Sequence, residues 1–261
     1  MPSAAFDDVN QPNPARVYDF WLGGKDNYRP DRATGAQIAE AAPWIIPTAR
    51  ANRAFVHRVV LDLARRGIEQ FIDLGCGLPR RRNVHDLAQR IRPATRVVYV
   101  DHDVTVLAHA RALLARDPGV TVLAADARDP RTITDAPETW QTLDRSKPVA
   151  VLATGLLETL TDDEASALVN TLRDAAAPGS YLALTQLACD GADHVGAGIA
   201  ARIYRRDVGP AHSRSSSRLA GLLPGYRVLP PGIVPAAEWG RRRQPRPDPL
   251  PVLAALGQTP S

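Results

Sequence analysis

The sequence is poor in cysteine and has no long apolar run, and each shortage excludes a class of protein. Cys76 and Cys189 are the only cysteines in 261 residues, without CxxC spacing, so neither a disulfide framework nor a metal site is expected. No apolar window of about 18 residues exists, which argues against a membrane-spanning helix. The acidic start, residues 1–14, lacks the apolar stretch of a secretory signal. We therefore expect a cytoplasmic protein without metal and without membrane contact.

Lysine and aromatic residues are also scarce, so the net charge of +4 is carried almost wholly by arginine. Lys25 and Lys147 are the only lysines, whereas arginines cluster at 80–82 and within 241–246. No aromatic residue is interleaved with either cluster to stack on bases. We interpret both clusters as solvated surface and expect no nucleic-acid partner.

Hydrophobic periodicity divides the chain into an N-terminal helical part and a part in which strands and helices alternate. Helical spacing predicts helices over 15–22, 31–42 and 48–66, with extended backbone at Ile46-Pro47 before the third. From residue 70 onward, alternation predicts a parallel sheet covered by helices on both faces. We therefore divide the chain into a helical cap, 1–66, and a sheet domain, 67–261, that form one compact unit. The predicted strands are 70–74, 96–100, 120–124, 149–153 and 180–186, with helices 84–91, 104–116 and 162–177 and a late hairpin of 226–234 with 251–256.

The residues after each strand are the candidate site, because ligands of such sheets bind beyond the carboxyl ends of the strands. After the first strand, Asp73 precedes Gly75 and Gly77, and the glycines let a ligand approach the backbone. A dinucleotide GxGxxG would need a third glycine where Arg80 stands. The pattern suits a ligand with an ammonium group and a carboxylate but no phosphates. The alternative is an ordinary tight strand–helix turn.

The next two strands also end in carboxylates. Asp101, followed by His102, can accept hydrogen bonds from both hydroxyls of a ribose; the alternative is a helix cap. Asp126, followed by Ala127, can accept from an adenine amino group while the next backbone N–H donates to the ring; the alternative is an Asp turn. Three carboxylates at successive strand ends are much more specific than any one of them.

After the fourth strand, Thr154 and Glu158 occupy the position where cofactor and acceptor should meet. Glu158 is a candidate to orient the acceptor or to act as a base if its surroundings raise its pKa. The alternative is a partly exposed carboxylate at a helix start, favoured by the helix dipole.

Several segments resemble one family, the actinobacterial S-adenosylmethionine-dependent methyltransferases long catalogued as a domain of unknown function. The resemblance implies a Rossmann-like class I methyltransferase fold of α/β class, with a mostly parallel seven-stranded sheet and an N-terminal helical cap. It implies contacts of S-adenosylmethionine with Asp73, Gly75, Asp101 and Asp126, and S-adenosylhomocysteine as product. The segments that carry it are 14–32 with its LGGKDNY block, 49–60, 71–79 with FIDLGCG, 96–115, 179–190 and 231–239.

The same resemblance implies that a block of the cap faces the cofactor cleft, with polar groups near the methionine end of the cofactor. The alternative is a helix C-cap followed by a solvated turn. In addition, Phe20, Trp21, Tyr28 and Trp44 either line an apolar lid or pack the core of the cap. The cleft-facing block comprises Arg16, Tyr18, Gly23, Gly24, Lys25, Asp26 and Asn27, with Arg50 and Asn52 from the third helix.

The chain departs from its relatives on the predicted acceptor side, which implies a different acceptor. Arginines 80–82 stand where many relatives have threonine, glutamine and glycine, and Glu158 and Gln186 stand where many have histidine. We expect in-line methyl transfer to a small molecule, a natural-product intermediate of secondary metabolism, with Glu158, then Tyr18 and His57, as candidate bases. Alternatives are a non-catalytic sensor of S-adenosylmethionine or S-adenosylhomocysteine, another Rossmann-like enzyme, and a protein or RNA methyltransferase.

Overall fold

The computed structural model describes residues 8–189, 194–241 and 250–260. Three helices open the chain as predicted: α1 (Pro14–Trp21), α2 (Arg29–Ala41) and α3 (Ile45–Arg65). Asn13 caps α1, because its side chain accepts hydrogen bonds from the first backbone N–H groups of the helix. The predicted extended segment at Ile46-Pro47 is wrong, since Pro47 lies in the first turn of α3, where no N–H donor is needed.

The predicted sheet is confirmed, with five parallel strands in its centre. These are β1 (Gln70–Leu74), β2 (Arg96–Asp101), β3 (Val120–Ala124), β4 (Ala150–Ala153) and β5 (Tyr181–Leu187). The late hairpin is replaced by β6 (Arg227–Val228), β7 (Val234–Pro235) and β8 (Val252–Gln258), because two adjacent prolines interrupt the first arm. The seven-stranded path runs β3-β2-β1-β4-β5-β8-β6, with β8 antiparallel and the two-residue β7 paired to it.

Helices cover both faces of this sheet, and each face has its own buried apolar cluster. The three helices predicted for the sheet domain are confirmed, and each ends two to three residues earlier than predicted. Four helices and one 3₁₀ turn in the described residues had no sequence prediction. The predicted helices are α4 (Val84–Ala88), α5 (Val104–Leu113) and α8 (Asp162–Ala175); the others are α6 (Arg131–Thr134), α7 (Pro137–Thr142), α9 (His194–Asp207), α10 (Ser216–Gly221) and the turn Leu157–Thr159.

The cap has a third apolar cluster, to which α9 also contributes. Trp21 is buried there and donates its Nε1–H to the Gly35 carbonyl, and Phe20 and Trp44 pack against the same cluster. The core-packing alternative therefore describes these aromatic residues, whereas Tyr28 is 47 % exposed. Helix α9, from the second predicted domain, packs on α2 of the cap, so the two parts are in contact. The division of the chain after residue 66 stays a prediction. Among the described residues, no helix is long and apolar enough to cross a membrane.

Candidate cofactor and acceptor site

The loop after β1 leaves open space above its glycines. Gly75 and Gly77 have φ values of +61° and +64°, a left-handed conformation that a side chain would strain. A Cβ added at Gly77 would meet no atom within 4 Å, whereas one at Gly75 would lie 3.1 Å from Leu156. The loop therefore exposes backbone to a ligand beside Gly77.

Asp73, near the end of β1, is buried with 6 % of its surface exposed. Within the described ranges its carboxylate has no hydrogen bond and no ion pair. Burial raises the pKa of Asp73 to about 7, an effect that Arg53 opposes and Asp101 reinforces. A buried carboxylate without partners is costly, so this position favours a ligand that brings a positive charge.

Asp101, at the end of β2, is held by the backbone around it. Its Oδ2 accepts from the N–H of Gly77 at 3.1 Å, and its Oδ1 accepts from the N–H groups of His102 and Asp103. Burial raises its pKa, and these bonds oppose the rise. The helix-cap alternative is wrong, because Asp103 caps α5. The fixed carboxylate keeps acceptor capacity for further donors, while the His102 side chain is 66 % exposed.

Asp126, after β3, is paired with a neighbouring arginine. Its two oxygens accept from Nε and Nη2 of Arg128 over 2.5–3.0 Å, and these bonds lower its pKa. Ala127 is buried beneath it. A purine amino group at this strand end would share the Asp126 carboxylate with Arg128.

The loop between α1 and α2 is organised by Asp19, which sequence reasoning missed. This residue is 3 % exposed; it accepts from the Asp26 N–H and the Asn27 amide, and it forms an ion pair with Arg80. A Cβ at Gly24 would lie 1.8 Å from Asp19 Oδ1, so this position requires glycine. The only signal in the sequence was an acidic residue flanked by the aromatic residues Tyr18 and Phe20 in the first helix.

Not every cap residue predicted to face the cleft has groups free for a ligand. Arg16 is 1 % exposed, donates to Asp31 at 2.8 Å and stacks over the Tyr28 ring. Asn27 is buried and donates to Asp19 and to the Gly24 carbonyl. Lys25 and Gly23 are exposed, and Gly23 has φ +73°. The described contacts of Arg16 and Asn27 hold the cap together.

At the end of β4, a chain of polar contacts joins the cap to the sheet. A Cβ at Gly155 would lie 3.1 Å from the Asn52 amide nitrogen, which donates to the Tyr18 hydroxyl at 3.0 Å. The Tyr18 hydroxyl donates to the Ala49 carbonyl, and burial raises its pKa. Asn52 Oδ1 is buried without a hydrogen-bond partner in the described part of the chain. Thr154, half-buried, precedes Gly155.

Glu158 lies in the 3₁₀ turn after β4, and its carboxylate is covered. Oε1 accepts from the Leu187 N–H at 2.8 Å, while Oε2 has no partner among the described residues. Burial raises the pKa of Glu158 to about 7, against hydrogen bonds and the charge of Arg214. Its charge raises the pKa of Tyr18 and, after burial, that of Tyr204. Glu158 as a whole is half-buried and lies in the first turn of this 3₁₀ helix, so the alternative of a partly exposed carboxylate at a helix start stays open.

Gln186 lies within β5, and its place on the acceptor side stays a prediction. It is fully buried, accepts from Arg214 Nη1 at 2.7 Å and donates to the His212 carbonyl. Arg214 also donates to Asp162 and to the Leu160 carbonyl. Gln186 thus belongs to a buried network that supports the end of β5.

A cavity of about 670 Å³ lies between the α1–α2 loop, α3 and the first loop of the sheet. Arg50, Arg53 and His57 line it from α3, and burial, with the charges of Arg53, Arg82 and Arg58, lowers the pKa of His57 to about 4. A narrow passage of about 40 Å³ shares Arg53 with the cavity and reaches Tyr18 and Gly77. The predicted surface cluster at 80–82 therefore contributes Arg80 and Arg81 to a cavity wall. Most of the second basic cluster, 242–246, lies outside the described residues.

A sequence profile of the S-adenosyl methyltransferase family matches residues 3–260. The chain belongs to this family. It is 38 % identical to a methyltransferase candidate from Thermobifida fusca, with a TM-score of 0.91 over 100 % of this chain and 99 % of that one. A DUF574 family protein from Streptomyces avermitilis is 33 % identical, with a TM-score of 0.89 over 97 % and 99 % of the two chains.

More distant structures share the fold alone. Human N-acetylserotonin methyltransferase, solved in complex with S-adenosylmethionine, is 14 % identical, with a TM-score of 0.52 over 96 % of this chain and 63 % of that one. No protein of curated function matches the sequence. The predicted family, class I methyltransferase fold and methyltransferase activity are confirmed.

The cofactor of this family is S-adenosylmethionine, and the residues at the strand ends fit it. Asp73 is a buried carboxylate without a partner in the described ranges, suited to an ammonium group. Asp101 is fixed beside the open Gly77 loop, suited to hydroxyl donors. The loop lacks the third glycine that a pyrophosphate would need, and S-adenosylmethionine contains no pyrophosphate.

Proposed function

We propose that this methyltransferase acts on a small molecule, an intermediate of secondary metabolism, in the cytoplasm. The supporting observation is the cavity of about 670 Å³ beside the cofactor loop. Its volume falls within the roughly 300–1,000 Å³ of small-molecule pockets. An enzyme needs space for an acceptor beside the cofactor, and this cavity next to the Gly77 loop would provide it. A protein that only senses the cofactor does not need such a space.

For the cofactor, we assign one group to each strand end. Asp73 accepts from the ammonium group, Asp101 from the ribose hydroxyls, and Asp126 with the Ala127 N–H contacts the adenine. The backbone of Gly75 and Gly77, with Thr154, borders the methionine part, and Lys25 lies near its carboxylate. His102 and the glycines Gly23 and Gly24 complete the wall on the cap side. When bound, S-adenosylmethionine supplies a methyl group on a positively charged sulfur, which is an activated leaving group.

For the transfer, the acceptor atom must be held in line with the methyl group and must lose any proton it carries. A lone pair of the acceptor forms the new bond to carbon, the bonding pair of the broken C–S bond stays on sulfur, and the proton passes to Glu158. A pKa of about 7 and an oxygen without a described partner suit Glu158 to that role near neutral pH. Tyr18, held by Ala49 and Asn52, orients the acceptor.

His57 is the third candidate base from the sequence. With a pKa of about 4 it is neutral at physiological pH and too weak a base to compete with Glu158. We assign its ring to acceptor binding in the cavity.

The test is methyl transfer from labelled S-adenosylmethionine to a panel of phenols, amines and carboxylic acids, for wild type and Glu158→Gln. We expect one acceptor class to react, and kcat to fall on the order of 10²–10⁴-fold in the variant. The affinity for S-adenosylhomocysteine should change less than about twofold, as for the exposed control Glu138→Gln. The acid limb of the pH–rate profile near pH 7 should disappear. An unchanged kcat in Glu158→Gln would exclude this base, and binding without transfer to any acceptor would favour the sensor.

A further inference from the structure

The cavity beside the cap has an unbalanced positive charge. Five cationic side chains line it, against only two carboxylates, Asp19 and Asp26. Asp19 is already paired with Arg80. In the described part of the chain, the four other cations have no carboxylate within ion-pair distance. These four are Lys25, Arg50, Arg53 and Arg81.

Two of the groups that line the cavity are buried enough to act on a ligand strongly. Arg53 is half-buried and uses one nitrogen, Nη2, to donate to the Arg82 carbonyl at 2.9 Å. His57 Nε2 is buried and has no hydrogen-bond partner within the residues described. The charges that face His57 come from Arg53, Arg82 and Arg58, and the ring stays neutral above about pH 5. A half-buried cation and an unpartnered ring nitrogen both point to a ligand.

The cavity adjoins a smaller pocket on the cofactor side of the molecule. The narrow passage shares Asp19, Leu22, Arg53 and Arg80 with the cavity, and it ends at Gly77 and Tyr18. Tyr18 in turn contacts Asn52, which adjoins Gly155 at the end of β4. A molecule in the cavity would therefore lie close to the Gly77 loop and to the contact between Tyr18 and Asn52.

The methionine carboxylate of the cofactor does not account for this charge. One carboxylate is satisfied by one bidentate arginine or by two single contacts. With Lys25 assigned to that carboxylate, Arg50, Arg53 and Arg81 still have no acidic partner among the described residues, and a volume of about 670 Å³ has room for a second, larger anionic ligand.

We propose that this cavity binds the acidic end of the methyl acceptor, which carries a carboxylate or a phosphate group. The proposal rests on the small-molecule methyltransferase function proposed above and adds the substrate class. Arg50 and Arg81 recognise the anion at the outer wall, and Arg53 holds it at the entrance to the passage.

The experiment titrates the protein, saturated with S-adenosylhomocysteine, with phthalate and with inorganic pyrophosphate at low ionic strength. The two probes distinguish a dicarboxylate from a phosphate ligand. The test variant is Arg50→Gln/Arg81→Gln. The matched control, Arg65→Gln/Arg111→Gln, removes two exposed arginines outside the cavity and therefore changes the net charge equally. Each titration is preceded by one with S-adenosylhomocysteine alone.

We expect wild type and control to bind at least one probe with sub-millimolar affinity, at least tenfold tighter than the test variant. The affinity for S-adenosylhomocysteine should stay within about twofold in both, and the single variant Arg81→Gln should weaken the probe in the same direction. Three results would overturn the acidic-acceptor proposal. In the first, wild type binds neither probe; in the second, the control variant loses as much probe affinity as the test variant; in the third, the test variant loses its affinity for S-adenosylhomocysteine together with that for the probe. If wild type fails to bind S-adenosylhomocysteine at all, the proposed function itself fails.

Discussion

Replacing Asp73 by asparagine should stabilise the unliganded protein and abolish tight cofactor binding. The pKa of Asp73 is raised from 3.8 to about 7 by burial, so the folded chain prefers the protonated carboxyl. Relative to the unfolded chain, the group leaves stability unaffected below about pH 4; the free energy of unfolding then falls as pH rises from about 4 to about 7 and changes little above that. At about 1.4 kcal/mol per pH unit, Asp73 lowers the free energy of unfolding by on the order of 2 kcal/mol at pH 5, where only the unfolded carboxyl is ionised, and by about 4 kcal/mol at pH 8, where both are ionised.

The measurement is urea unfolding of wild type and Asp73→Asn at pH 5 and pH 8. The stability gain of the variant should be larger at pH 8 by about 2–3 kcal/mol. The exposed Asp163→Asn serves as control and should show no such pH dependence. A gain that is equal at both pH values, or absent, would refute the argument that this carboxylate is buried without a partner.

Cofactor binding should show the opposite trend. An ammonium group needs the ionised carboxylate, so wild-type affinity for S-adenosylhomocysteine should fall on the order of 20–30-fold between pH 7.5 and 5.5. Asp73→Asn should bind weakly at both pH values and lose most of this dependence. Calorimetric titration measures both, and full affinity in the variant would remove Asp73 from the cofactor site.

Two further predictions concern the cap. Asp31 is fully buried and accepts hydrogen bonds from Arg16, Asn13 and Tyr28. Asp31→Asn should therefore lower the free energy of unfolding by about 3–5 kcal/mol, measured by urea unfolding. A loss below about 1 kcal/mol would contradict the pairing. Gly24→Ala should cost roughly 1–3 kcal/mol, because its Cβ would displace the Asp19 carboxylate, whereas the control Gly221→Ala has open space and should be neutral or stabilising.

The strand-end carboxylates could be predicted because they depend on short-range patterns. A buried strand followed by Asp101, or by Gly75 and Gly77, has few alternatives once the sheet is parallel, since the topology brings these ends to one edge. The sequence also separates Asp101 from Asp103 by only two positions, yet the structure shows different tasks. Asp103 caps α5, and Asp101 is left for a ligand.

The groups that define the acceptor side could not be predicted, because they depend on contacts between distant segments. Asp19 forms its ion pair with Arg80 across 61 positions, and the folded position of its carboxylate leaves no room for a side chain at Gly24. Gln186 has the same polar character as a site residue, but Arg214, 28 positions later, buries it. The arginines at 80–82 look like solvated surface until α3 and the α1–α2 loop form a cavity around two of them.

On the assignments proposed above, the arrangement of charges would let one site hold two ligands of opposite sign. Carboxylates lie at the strand ends, where we place the sulfonium cofactor, and the cations that have no carboxylate partner among the described residues lie on the cap and the first loop. An acidic acceptor held by Arg53 would be attracted by the sulfonium charge, since opposite charges attract at short distance. Methyl transfer removes the positive charge from sulfur. On this assignment, the anionic acceptor and the sulfonium attract each other before the transfer, whereas the methylated acceptor and S-adenosylhomocysteine do not. The chemical step itself therefore weakens the binding of the products.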